Sequence, residues 1–230
     1  MNIWFDGGGF LCLWSLGVAE VLKSSNIKFN LCGGYSTGGG VAAYLLNNEV
    51  NGDEVFKSVI TMPYGATKPM FSLIGKHEIN LKHLAECVLC DPISFKLEKY
   101  NDKLYLQIRP LKRLKGSWRN NFRDYDDITE CLISTQCIPY LASASCSICY
   151  YDNVGDVRGP TIDGAIFSKT FPKQWNKSDT LRISTWGSGD INLSGMGRVS
   201  DILFPNYDDL LRLRKLGNNQ ANEFLKTYKG

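Results

Sequence analysis

The chain has 230 residues, 43% of them hydrophobic and 21% charged, with a formal net charge of +3. This fits one α/β unit with a substantial core and excludes a disordered or low-complexity chain, and no Pro/Ser-rich linker or charge block divides it, so a single domain over 1–230 is expected. A charge of +3 is too small to mark a nucleic-acid binder, and no apolar run reaches the roughly 18 residues of a membrane span.

In chain order, Met1 to Phe5 reads as a strand, Asp6-Gly7-Gly8-Gly9 as a flexible turn and Leu11 to Lys23 as an apolar helix. The start lacks the basic stretch and cleavage pattern of a signal peptide. Three successive glycines present backbone N–H groups with no side chain in the way, and the following helix adds its N-terminal dipole, as a developing oxyanion requires. A phosphate loop would use similar parts. However, G-x-x-x-x-G-K-[ST] is absent, and Phe10, Leu11 and Cys12 break the dinucleotide pattern G-x-G-x-x-G.

Asn26 to Cys32 reads as a short strand and Val41 to Leu46 as an apolar helix, with Gly34-Tyr35-Ser36-Thr37-Gly38 between them. G-x-S-x-G in this setting suits a sharp strand-to-helix turn whose glycines, Gly34 and Gly38, let a serine stand clear on the positive end of a helix. Helices are expected over Asp53 to Met62 and over Asn80 to Leu89, the latter with Asn80 as N-cap. The apolar, Pro/Gly-broken stretch Met62 to Ile74 between them suits either a loop beside an acyl-chain groove or bilayer, or plain core packing.

Lys103 to Ile108 alternates with period two, as a half-buried strand does. Around it, Lys96 to Arg123 holds nine Lys or Arg against Glu98 and Asp102, with Tyr100, Tyr105, Trp118 and Phe122 interleaved. Such a segment reads as a patch for anionic lipid surfaces, as a nucleic-acid contact or as a solvated hairpin. Asp124 to Asp127 opens a helix running through Cys131 to Gln136, Thr161-Ile162 leads as a strand into Asp163-Gly164-Ala165, Leu181 to Thr185 is another strand, and Asn206 caps a final helix carrying Leu210, Leu211, Leu213 and Leu216. Strands alternating with helices imply a mainly parallel sheet covered on both faces.

The eight cysteines include two C-x-x-C spacings, Cys87/Cys90 and Cys146/Cys149. Their flanks, a helical stretch and Ala144-Ser145 with Tyr150, differ from zinc knuckles, so buried small hydrophobes in a reducing cytosol are expected. No calcium-loop pattern is present, and neither metal nor cofactor is expected.

A serine nucleophile needs a base. The two histidines, His77 and His83, both precede Asp163, so the order Ser, Asp/Glu, His of an α/β-hydrolase triad fails. A carboxylate in direct hydrogen-bond reach can serve as base during attack and as acid when the leaving group departs. Asp163, at a strand end before a tight turn, is the best-placed candidate, although Asp-Gly is also a common turn dipeptide.

The ordered set D-G-G-G, G-x-S-x-G and D-G-A resembles the patatin-like phospholipase family, whose members are lipid acyl hydrolases using a Ser-Asp dyad. The likeness runs from Met1 to about Phe171, with a weaker echo at Leu203-Phe204-Pro205. Ile3 to Val18 and Cys137-Ile138-Pro139-Tyr140 are similar to its animal triacylglycerol-lipase branch. The resemblance implies a three-layer α/β/α fold with a mainly parallel central sheet. It also implies Ser36 as nucleophile, Asp163 as base, Gly7, Gly8 and Gly9 as the oxyanion loop, and Gly164 and Ala165 completing the D-G-A turn. Phe10 to Cys12 replace the basic residue and glycine that plant patatins carry there, leaving the loop less positive, and Ala165 stands where many members have a second glycine.

The function so implied is hydrolysis of lipid carboxylic esters, of phospholipase A2 or lysophospholipase type. The alternatives are a triacylglycerol lipase or transacylase of the same fold, and a non-catalytic membrane-lipid-binding protein. The expected partner is a phospholipid or neutral-lipid substrate and no nucleic acid, and the expected place is the cytoplasm, with peripheral contact at membranes or lipid droplets.

Overall fold

Successive residues of a strand point to opposite faces, and that alternation organises this molecule. In chain order the computed structural model has β1 (Asn2–Phe5), α1 (Cys12–Ser24), β2 (Cys32–Tyr35), α2 (Thr37–Leu46), α3 (Gly52–Ile60), α4 (His77–Leu89), β3 (Leu104–Pro110) and β4 (Ser117–Arg119). There follow α5 (Tyr125–Ser134), β5 (Cys149–Tyr151), β6 (Arg158–Ile162), β7 (Thr180–Ser184), β8 (Ile191–Asn192) and α6 (Tyr207–Thr227), with short 3-10 turns including Gly9–Leu11. The structure describes residues 1–62, 77–110, 117–136, 149–151, 158–163, 172, 174–187, 189–193 and 205–228.

The strands form one mixed sheet in the order β5-β6-β3-β2-β1-β7-β8, with β4 paired to β3. From β3 to β8 every pairing is parallel, with Phe5 opposite both Gly34 of β2 and Ile183 of β7; β4, β5 and β6 join antiparallel. The fold is thus the α/β/α architecture with a mainly parallel central sheet. On one face Ile3, Phe5, Leu104, Leu106, Ile108 and Ile183 merge with the helices into a single core, each such side chain contributing roughly 1.5–3 kcal/mol by leaving water. On the other face Trp4 and Tyr35 pack with Trp175, whose ring meets Trp4 edge-on at 5.7 Å.

Helix α2 lies on β1, β2 and β3, and α1 lies between α2 and α6. The α1–α6 contact is backbone against backbone: a Cβ on Gly17 would stand 2.1 Å from the Arg214 carbonyl oxygen, and one on Gly217 would stand 2.0 Å from that of Trp14. Arg214 spans the seam to Glu20 and Asp53, and the Asn218 amide donates to the Gly17 carbonyl at 2.8 Å. Lys23 closes the end of α2, donating to the carbonyls of Tyr44, Asn47 and Val50 at 3.2, 2.5 and 2.8 Å, where the helix dipole favours a cation. Burial pulls its ammonium pKa down to about 8.

Several expectations shift. The strand expected over Asn26 to Cys32 is instead Cys32–Tyr35, because this strand is built from glycines that permit close packing on Trp4 and α2 rather than from β-branched residues. Asn80 is buried inside α4, three residues past its start, and does not cap it. Asn206 caps α6 as expected, accepting from the Asp209 N–H, and Asp124, in the acidic stretch expected to open α5, caps it by accepting from the Asp127 N–H. Among the described residues, the basic segment 96–123 is divided between surface and interior. Arg109 and Arg119 are buried, Arg119 donating to Asp127 at 2.8 Å, and Tyr100 and Phe122 belong to the core. Cys87 and Cys90 are only partly buried. The loop expected within Met62 to Ile74, apart from Met62, lies outside the described residues, as do Cys137-Ile138-Pro139-Tyr140, Cys146, Gly164, Ala165 and Leu203-Phe204. Among the described residues no helix is long and apolar enough to cross a membrane.

Candidate active site

The strands β2, β1 and β7 end side by side, and the residues after them are Ser36, the glycine turn and Thr185-Trp186. The carboxyl ends of parallel strands are where an open α/β sheet offers a crevice to a ligand.

Ser36 joins β2 to α2 with φ 52° and ψ −140°, a conformation that costs a residue with a side chain about 1–3 kcal/mol unless its surroundings enforce it. Two features enforce it here. A Cβ on Gly38 would lie 2.3 Å from the Phe5 carbonyl oxygen and one on Gly34 would lie 2.6 Å from the carbonyl carbon of Gly38, so β1, β2 and α2 meet at a distance that only glycine allows. In addition, the Ser36 N–H donates to the Thr135 hydroxyl at 2.9 Å, which in turn donates to the Gln107 carbonyl of β3 at 2.7 Å. The strained residue is thereby tied to the neighbouring strand through one buried hydroxyl.

The Ser36 hydroxyl donates to Oδ2 of Asp163 at 2.5 Å, and both residues are buried. An O–H to carboxylate contact of that length is a charge-assisted bond. Asp163 reaches Ser36 because β6 runs antiparallel to β3, Ile162 lying opposite Arg109, so its end points back toward the turn after β2. Sequence reading places Asp163 at a strand end, as observed, but strand direction is not encoded in a local pattern.

The glycine turn is pinned at its start. The Asp6 carboxylate is fully buried and accepts from Arg182 of β7 at 2.9 Å, and its N–H donates to the Ile183 carbonyl. Gly7 touches the serine, since a Cβ there would fall 2.4 Å from Cβ of Ser36. The Gly8 N–H donates to the Thr37 hydroxyl at 3.3 Å, and Gly9, at φ 57°, starts the 3-10 turn leading into α1. The Gly8 N–H thus points toward the residue after Ser36. Behind the site, burial and then the Asp6 carboxylate raise the Tyr35 phenol, which stays neutral.

Beside the elbow an apolar cavity opens between α1, α2, α3, α4 and α5, with about 480 Å³ of empty space partly open to solvent. Thr37 and Gln136 stand in its wall next in sequence to Ser36 and Thr135, and Leu16, Val41 and Leu84 line it too. Cys12 also faces it, its thiol pushed by burial up to about 12 and so protonated at neutral pH.

Thr135, Arg182 and the cavity were not singled out from the sequence, and Asp6 was singled out only as the first residue of the glycine turn, not as the partner of Arg182. Thr135 has no motif around it, and its importance arises only when α5 ends against β3. A usable signal existed for Thr185-Trp186, which directly follows a strand of a parallel sheet.

Residues 3–172 match the model of the family described as patatin-like phospholipase. Two solved structures are similar over nearly the whole chain. One is the heterodimeric complex ExoU-SpcU from the type III secretion system of Pseudomonas aeruginosa, with 12% identity and a TM-score of 0.45 over 99% of this chain and 51% of that one. The other is VipD from Legionella pneumophila, with 10% identity and a TM-score of 0.48 over 98% of this chain and 67% of that one. The chain spans about half the length of the first. Among the curated proteins none matches.

Proposed function

We propose that this chain, which belongs to the patatin-like phospholipase family, hydrolyses carboxylic esters of lipids through Ser36 and Asp163. The observation that carries the proposal is the 2.5 Å hydrogen bond from the Ser36 hydroxyl to the Asp163 carboxylate at the strained turn between β2 and α2. In this mechanism Ser36 Oγ bonds to the acyl carbon as its proton passes to Asp163, and the carbonyl π pair moves onto oxygen. The N–H groups of the turn Gly7, Gly8 and Gly9, and that of Thr37 after Ser36, would receive that oxyanion. Collapse expels the lipid alcohol, which takes the proton from Asp163. Water then repeats the sequence on the acyl-serine, its proton held by Asp163 and returned to Ser36 as the fatty acid leaves.

The cavity beside Thr37 supports an acyl-chain site, because its wall is apolar and begins one residue from the nucleophile. Each methylene buried there would contribute about 0.8 kcal/mol. A phospholipase A2 or lysophospholipase type is the reading adopted for the substrate.

The test is fatty-acid release, with EDTA present, from phospholipid vesicles, lysophospholipid micelles and a triacylglycerol emulsion. Wild type should release fatty acid faster from the phospholipid forms. Asp163→Asn should slow release about 10³-fold with unchanged melting temperature. Preference for the emulsion would transfer the proposal to a triacylglycerol lipase. Release from none of the three by a folded protein would refute hydrolysis.

A further inference from the structure

Donors of an oxyanion hole contribute most when they are aimed before the substrate arrives, and a run of glycines has no side chains of its own to aim them. A trans peptide points its carbonyl and its N–H in opposite directions, so holding one fixes the other. In this chain the Gly7 carbonyl accepts two hydrogen bonds, from the Thr185 hydroxyl at 2.7 Å and from the Trp186 indole N–H at 2.8 Å. The N–H of the same peptide, on Gly8, therefore faces the other way, toward the Thr37 hydroxyl at 3.3 Å. That bond is longer than the usual N–H to oxygen distance of about 2.9–3.0 Å and is readily exchanged for a stronger acceptor.

We infer that Thr185 and Trp186 are positioning residues that clamp the Gly7 carbonyl and so aim the Gly8 N–H at the oxyanion. The clamp rests on the reading of Ser36 as nucleophile. Its geometry follows from the sheet. β7 lies in register beside β1, Phe5 opposite Ile183, so the residues just past Ser184 come level with the turn just past Phe5. Thr185 is buried and packs against the turn, since a Cβ on Gly8 would meet its Oγ1 at 3.0 Å. Trp186 is 48% exposed, so half of the clamp is made at the surface. An exposed tryptophan can lose its N–H with little disturbance of the core, which makes the inference testable.

The test measures kcat and KM on a soluble p-nitrophenyl ester for wild type, Ser36→Ala, Thr185→Val, Trp186→Phe, the double variant Thr185→Val/Trp186→Phe, and Thr185→Ser. Melting temperatures are recorded alongside. Each single loss of a donor should lower kcat about tenfold and the double loss about a hundredfold, with KM within about twofold of wild type, because the donor acts on the transition state and not on bound ester. Thr185→Ser keeps the hydroxyl and should keep kcat. A double variant with wild-type kcat would overturn the clamp, as would a fall in kcat matched by an equal rise in KM. Should Thr185→Val fail to fold, Trp186→Phe alone decides by the same criterion. Wild type no faster than Ser36→Ala would overturn the hydrolase reading and the clamp with it, whereas a fast wild type with unaffected clamp variants would overturn the clamp alone.

Discussion

Two seams in this molecule depend on glycine for the same reason, the absence of room for a Cβ, and they serve different ends. At the α1–α6 contact, Gly17 and Gly217 let two helix backbones touch. At the elbow, Gly7, Gly34 and Gly38 let a turn, a strand and a helix converge on Ser36. The first seam is bridged by ordinary stabilising contacts, Arg214 with Glu20 and Asn218 with the Gly17 carbonyl. The second encloses a residue in a costly conformation, held by Thr135 and pressed against Asp163. Close packing of backbone is therefore a construction method with no fixed purpose, and what it encloses decides the purpose.

The seams separate experimentally. Gly38→Ala is expected to have the largest effect: it should cost about 3 kcal/mol or more of stability, because the neighbour in the way is backbone. It should also lower kcat per folded molecule about 10²-fold by displacing Ser36, the proposed nucleophile. Denaturant titration with ester hydrolysis reads both. Gly17→Ala should cost about 2–3 kcal/mol in the same titration yet leave kcat per folded molecule unchanged. Equal damage to kcat by both substitutions would erase the distinction.

How much of each seam the sequence discloses also differs. Gly34, Ser36 and Gly38 form a recognisable pentapeptide between a strand and a helix, and Asp6 to Gly9 and Asp163-Gly164-Ala165 are short local patterns. Gly17 and Gly217 sit singly inside helices 200 residues apart, where no local pattern marks a packing contact. The same limit hid Thr135, whose role exists only because α5 ends beside Gln107. It also misplaced β2, since Cys-Gly-Gly-Tyr has little strand propensity and is fixed as a strand by parallel neighbours on both sides. Charge counting over 96–123 likewise does not see that Arg119 is taken inward by Asp127.

Smaller effects sharpen the contrast. Thr135→Val keeps the shape but leaves the buried Ser36 N–H and Gln107 carbonyl without that hydroxyl, at a cost of about 1–3 kcal/mol. It should also lower kcat by more than Gly17→Ala does, and stopped assays normalised to folded fraction would check this. The smallest effect concerns Lys23 at the end of α2. Its folded pKa of about 8 lies below the roughly 10.4 of an unfolded lysine. Between those values the unfolded chain binds the extra proton, so this group's contribution to stability should rise as pH goes from 8 to 10. Comparing wild type with Lys23→Met by denaturant titration at pH 7 and pH 10 should show the gap widening; a gap that narrows would contradict the sign.

The central claim, that the elbow presents a nucleophile paired with a carboxylate, is tested most directly by fluorophosphonate labelling followed by peptide mass mapping. Wild type should carry a single adduct on Ser36, Ser36→Ala none, and folded Asp163→Asn should label far more slowly. An adduct on another residue with Ser36 unmodified, or labelling of Ser36→Ala at the wild-type rate, would contradict it.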